Sequence, residues 1–553
     1  MALADDDGLT SFGSTSCGCL MCCSGARSLL TEERATLGTA LGSVAVTSAA
    51  IAALLPDGEP KWGSSAIGTG AVVTYSFMTA APSYADADDR FGFAEFNATQ
   101  RAAAREVLAD WAAVANLTFT EVSDSGGGGQ IRFGTNNQLG ISGGYAYYPS
   151  SSSTGGDIYI SNEYATNLSP TVGGYGYSTL VHEIGHAIGL KHPGDYNAGG
   201  GGTEGPYLPA SEDSTQYSVM SYNDHPSLGS RYYASGPELY DIAAIQYLYG
   251  VNSTTRTGDN AYAFTTTTSA VQRSIWDAGG TDTINASTQV RNSVISLVAG
   301  TFSSIGPNGS GGTATNNISI AAGVVIENAV GGHGNDTITG NAVSNELTGG
   351  GGNDTIDGGA GTDVAVFSGR KIDYLWNTGA SSISVRGTDG TDTLSNIEIL
   401  RFDDGSVNLS IGTLVYRFYN SSNGTHFYTS SETERDAVLS SLPTFGYEGP
   451  SFGAGSTGDS VWRFYNTATG THFYTISATE RDYVRANLLT YQFEGEAYKA
   501  SISAEEGLSP LYRFYNTQTG AHFYTASEAE AAAVTAGLPQ FQPEGTAYYI
   551  GLL

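Results

Sequence analysis

Cysteine is almost missing from this chain of 553 residues. All four cysteines form one cluster near the amino terminus, at Cys17, Cys19, Cys22 and Cys23, and residues 24–553 contain none. This distribution excludes a disulfide bond within the body of the chain. Outside a cell, stability would therefore have to come from packing and from bound metal ions.

Basic residues are also scarce. The chain has 23 Lys and Arg against 54 Asp and Glu, which gives a formal net charge of −31. Because phosphate binding needs clustered positive charge, we expect no nucleic-acid partner. The excess of carboxylates, together with 74 glycines, favours calcium loops, which are built from oxygen ligands on tight turns.

The amino-terminal segment lacks the features of an ordinary secretory signal and of a membrane span. Its start is acidic, at Asp5, Asp6 and Asp7, where a signal peptide needs positive charge. Residues 35–56 carry no charge but are rich in Ala, Thr, Ser and Gly, which makes them a poor span. We predict no stable membrane span and assign residues 1–57 to a leader or propeptide.

The chain does contain a pattern of three histidines. His182 and His186 are four residues apart, so on a helix they project from one face. His192 follows Gly189, a residue that can adopt the left-handed conformation that ends a helix. Three histidine nitrogens around Zn²⁺ leave one position open for water, as in catalytic zinc sites. Glu183 is placed to take a proton from zinc-bound water as it attacks a carbonyl.

These residues resemble the long zinc-protease motif, and their surroundings resemble one of its branches. Residues 217–222 (Tyr-Ser-Val-Met-Ser-Tyr) are similar to the Met-turn of metzincins. Pro193 after the third histidine, and Tyr222 two residues after Met220, resemble the serralysins. The resemblance implies that Met220 forms an apolar floor under the metal. It also implies that Tyr222 is a switchable zinc ligand that helps to stabilise the oxyanion.

The same resemblance bears on the leader. Serralysin-like enzymes carry a short propeptide that is removed, and residues 1–57 lie where that segment would be. A cysteine thiolate binds zinc strongly, so the cysteine cluster could block the open zinc position and make the precursor a zymogen. Serralysins typically lack cysteine, so the resemblance assigns the cluster no role.

Residues 58–250 are predicted to form an α+β metzincin protease domain. The apolar spacing of residues 97–116 predicts a long helix, and residues 238–250 predict an amphipathic closing helix. Residues 156–161 correspond to the family's edge strand above the cleft, where an extended substrate would pair through its main chain. Residues 145–149, Tyr-Ala-Tyr-Tyr-Pro, either line the cleft or form a surface turn.

A nine-residue repeat begins at Gly331, with further copies at Gly340, Gly349 and Gly358. Apolar residues fill the eighth place of each copy: Ile338, Leu347, Ile356 and Ala365. Glycine turns that present carbonyls and one Asp to a cation, each followed by a short strand, predict a parallel β-roll ordered by Ca²⁺. We assign residues 251–412 to this roll.

The resemblance to serralysins implies several structural calcium ions and a set of ligand positions for them. These positions are Arg256, Gly258, Asn260, Asp277, Gly279, Gly280, Asp282, Glu327, Gly332, Gly334, Asp336, Gly350, Gly352, Asp354, Gly359, Gly361 and Asp363. Asn260 stands where the family has Thr. Serralysins leave the cell unfolded through a type I exporter and fold in external calcium, which implies the same secretion machinery as a partner here.

A different repeat occupies residues 413–553. The segments 416–420, 462–466 and 512–516 share Arg-Phe-Tyr-Asn, and each precedes a Gly-x-His-Phe-Tyr-Thr segment. Three such units predict a closed, β-rich, pseudo-threefold domain, trefoil-like or a short propeller. Its aromatic residues either bind a carbohydrate or cell-wall polymer or form each unit's own core, and the alternation of Phe and Tyr favours the core.

One histidine recurs in each of these units, at His426, His472 and His522. A fixed place in a repeat is more typical of a hydrogen-bonded core residue than of a metal ligand, so we expect no second metal site here.

The sequence therefore predicts a secreted, extracellular zinc endopeptidase that acts on proteins and peptides, with a multidomain fold. That fold combines an α+β metzincin domain, a parallel β-roll and a pseudo-threefold repeat domain. The alternative is a calcium-dependent surface adhesin whose protease domain is incidental or inactive.

Overall fold

The computed structural model describes residues 46–198, 200, 202–229, 232–265, 270–379 and 381–553. The cysteine cluster and most of the predicted leader lie outside these ranges. The chain divides into two compact units between Asn345 and Glu346. This division does not coincide with the predicted domains, because residues of the predicted roll belong to both units.

The first unit begins with a mixed layer of helices and a five-stranded sheet. Its elements are α1 (Ser48–Ala53), β1 (Ala71–Phe77), α2 (Ala87–Arg90), α3 (Ala98–Val114), β2 (Leu117–Glu121), β3 (Ile131–Asn136), β4 (Gly144–Ala146), β5 (Asp157–Ser161), α4 (Ala165–Leu168), α5 (Tyr175–Ala187) and α6 (Leu239–Tyr249). The strand order is β2-β1-β3-β5-β4, and only β4 runs antiparallel to its neighbour.

Helix α3 forms where the apolar spacing predicts it. Asn97 caps its first turn through a reciprocal capping box with Gln100, which satisfies two backbone N–H groups that the helix leaves open. Val107, Leu108 and Trp111 are buried on one face. The indole N–H of Trp111 donates to the carbonyl of Val181 at 3.3 Å, which ties α3 to α5, the helix that carries the first two histidines.

The prediction that residues 156–161 form the edge strand is wrong. Strand β5 (Asp157–Ser161) pairs with β3 on one side and with β4 on the other, and all five of its residues are buried. The edge is β4, a strand of only three residues. Such a short segment has too few residues to show the alternation that predicts a strand.

The predicted boundary after residue 57 lies inside a packed region. Helix α1 and Leu54 are part of the core, and α1 packs against α6. The backbone N–H of Lys191 donates to Leu54 O at 2.8 Å, and its Nζ donates to Ala53 O at 2.7 Å. Residues 46–57 therefore belong to the folded unit. Enclosed by α1 and α3, helix α6 is buried on nearly all sides and is not amphipathic as predicted.

Short strands continue the first unit beyond α6. They are β6 (Ala261–Ala263), β7 (Arg273–Ile275), β8 (Thr283–Asn285), β9 (Val294–Ser296), β10 (Phe302–Ser303), β11 (Ile318–Ile320), β12 (Asn328–Val330) and β13 (Thr337–Thr339). Strand β8 pairs in parallel with β6 and β12, and β9 pairs in parallel with β13. The parallel pairing of three-residue strands is the predicted roll geometry.

The second unit begins with the same kind of strand. Its first strands are β14 (Glu346–Thr348), β15 (Thr355–Asp357), β16 (Val364–Val366), β17 (Leu375–Thr378), β18 (Ile383–Arg386), β19 (Thr391–Ser395), β20 (Ile399–Phe402) and β21 (Gly405–Asn408). Strands β14, β16 and β20 pair in parallel, as do β15 and β19. The eighth-place residues Ile338, Leu347, Ile356 and Ala365 are all buried. The predicted parallel β-roll is confirmed.

Three similar repeats, each of three strands and a helix, complete the second compact unit. Together we call these repeats, or ring units, the ring domain (residues 413–553). Their elements are β22 (Thr413–Asn420), β23 (Thr425–Thr429), α7 (Glu432–Ser441) and β24 (Phe445–Ala454); β25 (Asp459–Asn466), β26 (Thr471–Thr475), α8 (Ala478–Asn487) and β27 (Tyr491–Ala500); and β28 (Leu508–Asn516), β29 (His522–Thr525), α9 (Glu528–Gly537) and β30 (Phe541–Gly551). In each unit the first strand is central and pairs antiparallel with the other two.

Three buried tyrosines close the ring domain. The Tyr428 hydroxyl donates to Tyr524 O at 2.6 Å, that of Tyr524 to Tyr474 O at 2.7 Å, and that of Tyr474 to Tyr428 O at 2.7 Å. Their rings meet edge to face. The predicted pseudo-threefold closure is confirmed. The expectation that the aromatic residues serve each unit's own core is wrong for these three, because they form one core shared by all units.

Each repeated histidine of the ring domain lies against a glutamate of its own unit. The Nε2 atoms of His426, His472 and His522 are 3.4, 3.7 and 3.4 Å from the carboxylates of Glu448, Glu494 and Glu544. The three histidines do not meet one another to form a metal-ligand cluster in the described part of the chain. Among the helices described, none is both long and apolar enough to cross a bilayer.

Candidate zinc site and calcium turns

Helix α5 and the turn after it bring the three histidines together. His182 and His186 lie on one face of α5, which ends at Ala187. Gly189 follows with φ 118°, and its N–H donates to His186 O at 3.0 Å. A side chain at Gly189 would also lie 2.4 Å from Pro60 O. Only glycine fits this turn, which leads the chain back to place His192 beside the other two.

The three imidazoles point their Nε2 atoms at a common centre. His192 Nε2 lies 3.1 Å from His182 Nε2 and 3.0 Å from His186 Nε2. Each Nδ1 faces oxygen acceptors instead: Val219 O at 2.8 Å, Leu190 O at 2.7 Å, and, for His192, Asn197 Oδ1 at 2.9 Å. Because an oxygen acceptor fixes the proton on Nδ1, all three Nε2 lone pairs face each other. Such lone pairs repel unless a cation lies between them, so these residues fit a Zn²⁺ ion.

The protonation states suit a metal site. Burial lowers the pKa of His182 to about 4 and that of His192 to about 3. Burial, followed by the neighbouring histidines, also lowers the pKa of His186. All three imidazoles are therefore neutral at pH 7, the form in which histidine binds a metal.

Glu183 is enclosed next to the histidine cluster. Its side chain is 4% exposed, and burial raises its pKa to about 8. No hydrogen-bond partner for its Oε2 occurs among the described residues. Gly144 of β4 lies directly over it, since a Cβ there would be 2.9 Å from Glu183 Cγ. The edge strand thus passes over the candidate base, a contact that the sequence analysis did not identify.

The predicted Met-turn lies beneath the cluster. Met220 is fully buried, and its Sδ approaches Gly185 so closely that a Cβ there would be 2.6 Å away. Asp241 of α6 holds the turn, because it accepts from Ser218 Oγ at 2.6 Å and from the Val219 N–H at 2.8 Å. Val219 O is the partner of His182, so Asp241 positions that histidine. Sequence reasoning missed Asp241; its only signal was its place in the first turn of α6.

Tyr222 lies at the mouth of the site. Its ring centre is 4.5 Å from that of His192 and 4.8 Å from that of Tyr196, against which it stacks. The side chain is 46% exposed. Nearby, the Tyr148 ring meets His186 edge to face at 5.7 Å, which places this part of residues 145–149 at the cleft. The role of Tyr222 as a zinc ligand stays a prediction.

Comparisons with known proteins agree with this geometry. A model of the matrixin family matches residues 93–198, and a model of the peptidase M10 serralysin C terminus matches residues 240–409. Serralysin C of Dickeya chrysanthemi is 41% identical over 302 residues, which cover 50% of this chain and 60% of that protein. Residues 93–409 are therefore similar to serralysin-type metzincins. The α+β metzincin fold predicted from the sequence is confirmed.

Other relatives give the same extent of similarity. Metalloprotease AprA of Pseudomonas entomophila (strain L48) is 40% identical, covering 49% of this chain and 59% of that protein. Serralysin of Proteus mirabilis is 40% identical, covering 51% of this chain and 62% of that protein. The chain thus spans about 60% of the length of these relatives. A solved structure of myroilysin covers 36% of this chain and 98% of its own, with 20% identity and a TM-score of 0.23. Residues 414–551 match a domain of unknown function (DUF5648).

In this serralysin-like segment, two loops that carry predicted calcium ligands face each other. The N–H of Asn260 donates to Asp282 Oδ1 at 2.7 Å, and that of Asp282 donates to Glu327 Oε2 at 2.7 Å. The N–H of Gly279 donates to Asp277 Oδ1 at 2.8 Å. Arg256 extends from the first loop to donate to Trp276 O at 2.7 Å. The structure thus brings these predicted ligands into one place.

The oxygens of these two loops fit a hard cation. Asp282 Oδ2 is buried without a hydrogen-bond partner in the described residues, and burial raises the pKa of Asp282 to about 6. Gly258 O lies close to Gly280, where a Cβ would be only 2.5 Å from it. With its amide turned to donate, Asn260 bonds to Asp277 Oδ2 and to Gly258 O at 3.0 Å each. An oxygen-rich set of this kind suits Ca²⁺.

The nonapeptide turns place their aspartates in the interior. Asp336 accepts from the N–H groups of Gly332 and Ser293 at 2.5 and 2.6 Å. Asp354 and Asp363 are buried, and their N–H groups donate to acidic side chains of later turns, Asp392 and Glu398 respectively, at 2.8 Å each. The remaining predicted positions of these turns are glycines: Gly334, Gly350, Gly352, Gly359 and Gly361. Asp392 and Glu398 were not identified from the sequence as partners.

Proposed function

We propose that the chain is a secreted zinc endopeptidase that hydrolyses peptide bonds of extracellular proteins and needs calcium to fold. One observation supports the activity above all others: the Nε2 atoms of the neutral His182 and His186 lie 3.1 and 3.0 Å from that of the neutral His192, beside the buried Glu183. The chain's similarity to proteins named serralysin and metalloprotease supports the same reaction.

The chain's own residues have defined parts in this proposal. Zn²⁺, when bound by His182, His186 and His192, supplies a Lewis acid that polarises the peptide carbonyl and makes water more acidic. Glu183 takes the proton from the attacking water and passes it to the leaving amine. Tyr222, at the mouth of the site, stabilises the negative charge that develops on the carbonyl oxygen, the role that the family resemblance implies for it.

The substrate would bind as an additional strand. Strand β4 is the end strand of the described sheet, and it passes over Glu183. An extended peptide pairing with β4 would place its carbonyl next to the histidine cluster. Main-chain pairing tolerates many side chains, so we expect broad specificity.

Calcium would complete the roll. The oxygen sets around Asp282, Asp336, Asp354 and Asp363 bring several carboxylates together in a chain of net charge −31, and Ca²⁺ would neutralise them. Export through a type I secretion system and folding in external calcium follow from the family resemblance. A carbohydrate or cell-wall ligand of residues 413–553 stays a prediction.

Replacement of the base tests the proposal. In the full chain folded in calcium and loaded with zinc, Glu183→Gln should lower kcat/KM for casein at least a thousandfold while zinc stays bound. The matched control is Glu95→Gln, at an exposed glutamate of the same unit, which should keep the parent activity. A zinc-loaded, calcium-folded parent that cleaves no protein would refute the proposal and favour the adhesin alternative.

A further inference from the structure

The roll strands of the second unit end in a sheet edge that has no partner strand and is covered by the ring domain. Strand β17 (Leu375–Thr378) is the end strand of the order β17-β18-β19-β15. It pairs with β18, with Trp376 opposite Val385 and Thr378 opposite Ile383. Trp376 and Thr378 are two residues apart, so their main-chain groups point to the same side of the strand. Trp376 O and Thr378 N are bonded by α7 and thus face away from β18. Such edges attract other chains, and native proteins cover them.

Helix α7 of the ring domain provides the partners for that edge. Arg435 Nη1 donates to Trp376 O at 2.7 Å, and Nη2 donates to Asn377 Oδ1 at 2.5 Å. Glu432 Oε1 accepts from both the N–H and the hydroxyl of Thr378, at 2.9 Å each. Glu432 and Arg435 are three residues apart and so share one helix face. Together they replace the hydrogen bonds that a further strand would make.

The contact between α7 and β17 is buried at Arg435. The Arg435 side chain is 0% exposed, and its guanidinium lies 4.6 Å from the centre of the Tyr416 ring. A buried guanidinium without its partners lowers folding stability, so loss of the β17 contacts would destabilise Arg435 and loss of Arg435 would leave the β17 edge without its donors.

Only the first unit of the ring domain carries this pair. In the second unit the matching positions are Ala478 and Arg481, and in the third they are Glu528 and Ala531. Arg481 stacks on Trp462 and bonds to Asp482, as Arg435 does with Tyr416 and Asp436, but 24% of the Arg481 side chain is exposed. The docking pair is therefore not a by-product of the repeat.

We propose that the ring domain, for which no function is assigned, is a fixed cap of the calcium roll, docked through Glu432 and Arg435. The cap would also be coupled to calcium, a part that rests on the proposed function. Strand β18 pairs with β19, and β19 pairs with β15 next to the Asp354 turn. Ion binding at that turn and docking of the cap stabilise the same strands, so each raises the stability conferred by the other.

Hydrogen exchange of the full chain in saturating calcium tests the docking. Glu432→Ala with Arg435→Ala should speed amide exchange in residues 375–386 at least tenfold, while exchange in β25 and β26 stays as in the parent. Arg481→Ala, the matched control, should change nothing in residues 375–386. Glu432→Gln keeps an acceptor for the Thr378 N–H and should retain most of the protection.

Two outcomes would overturn the docking proposal: unchanged exchange of residues 375–386 in the double variant, or an equal rise in Arg481→Ala. If the double variant unfolds the ring domain, Arg435→Ala alone carries the test, with the same criterion. Calcium titration tests the coupling: the midpoint for protection of β15 and β19 should rise severalfold in the double variant, and an unchanged midpoint refutes it. If protection did not depend on calcium in any variant, the calcium part of the proposed function would fail while the docking result stood.

Discussion

Asp241 offers the sharpest test of how the fold holds the candidate zinc site. Its carboxylate is fully buried and accepts from Ser218 Oγ at 2.6 Å, from Val219 N at 2.8 Å and from Glu238 N at 2.9 Å. Asp241→Ala would leave two buried N–H groups without an acceptor, which costs about 2–4 kcal/mol of folding stability. The turn would loosen, and with it Val219 O, the partner of His182 Nδ1 at 2.8 Å.

Zinc affinity reports this loosening directly. Loss of a group that orients a ligand typically weakens metal binding about 10–100-fold, so we expect Asp241→Ala to raise the Kd for zinc by that factor. The assay is competition with a chromophoric chelator on the calcium-folded chain. Asp110→Ala is the matched control, because Asp110 accepts from Tyr177 Oη of α5 at 3.0 Å but, among the described residues, bonds neither to the three histidines nor to the oxygens that accept from them. Equal zinc affinity in Asp241→Ala and the parent would refute the reasoning.

Two further predictions concern the ring domain. Tyr474→Phe removes a hydroxyl that donates to Tyr428 O at 2.7 Å and accepts from Tyr428 N at 2.9 Å. It should therefore lower the folding stability of the ring domain by about 2–4 kcal/mol, measured by hydrogen exchange of residues 413–553. A loss of stability below about 0.5 kcal/mol would contradict a shared tyrosine core. Burial opposes the charged form of Glu434, but hydrogen bonds from Arg463 and Thr429 outweigh it and lower its pKa. A lowered folded-state pKa contributes stability above the unfolded value of about 4.3 that is lost as pH falls through the folded value. Ring-domain protection should therefore decrease below about pH 4.3, less so in Glu434→Gln, and an identical pH profile in the two proteins would contradict this.

Local spacing made the histidine cluster predictable from the sequence. His182 and His186 are fixed by the helical period, and Gly189 signals the turn that returns His192. The phase of Ile338 and Leu347 likewise predicted the roll, because a nine-residue period repeats one turn and one inward side chain.

What the sequence did not reveal depends on contacts between distant segments. Asp241 is some 60 residues from His182 and reaches it only through the turn at Val219. The edge strand was assigned to residues 156–161 from the family resemblance, and β4, with three residues, has no alternation that could have corrected it. Helix α1 was assigned to the leader, because its Ala-rich sequence gives no sign of the packing against α6 that the structure shows. The repeat predicted three ring units, but not that Tyr428 would join them.

Above all, we expect peptide hydrolysis by this chain to require one zinc ion held by the three histidines. The most direct measurement removes metal from the calcium-folded chain with a zinc-selective chelator and then titrates zinc back while the rate of casein hydrolysis is followed. We predict no activity without zinc and full recovery at one equivalent per chain. Hydrolysis that persists without zinc, or no hydrolysis at any zinc concentration, would contradict the claim.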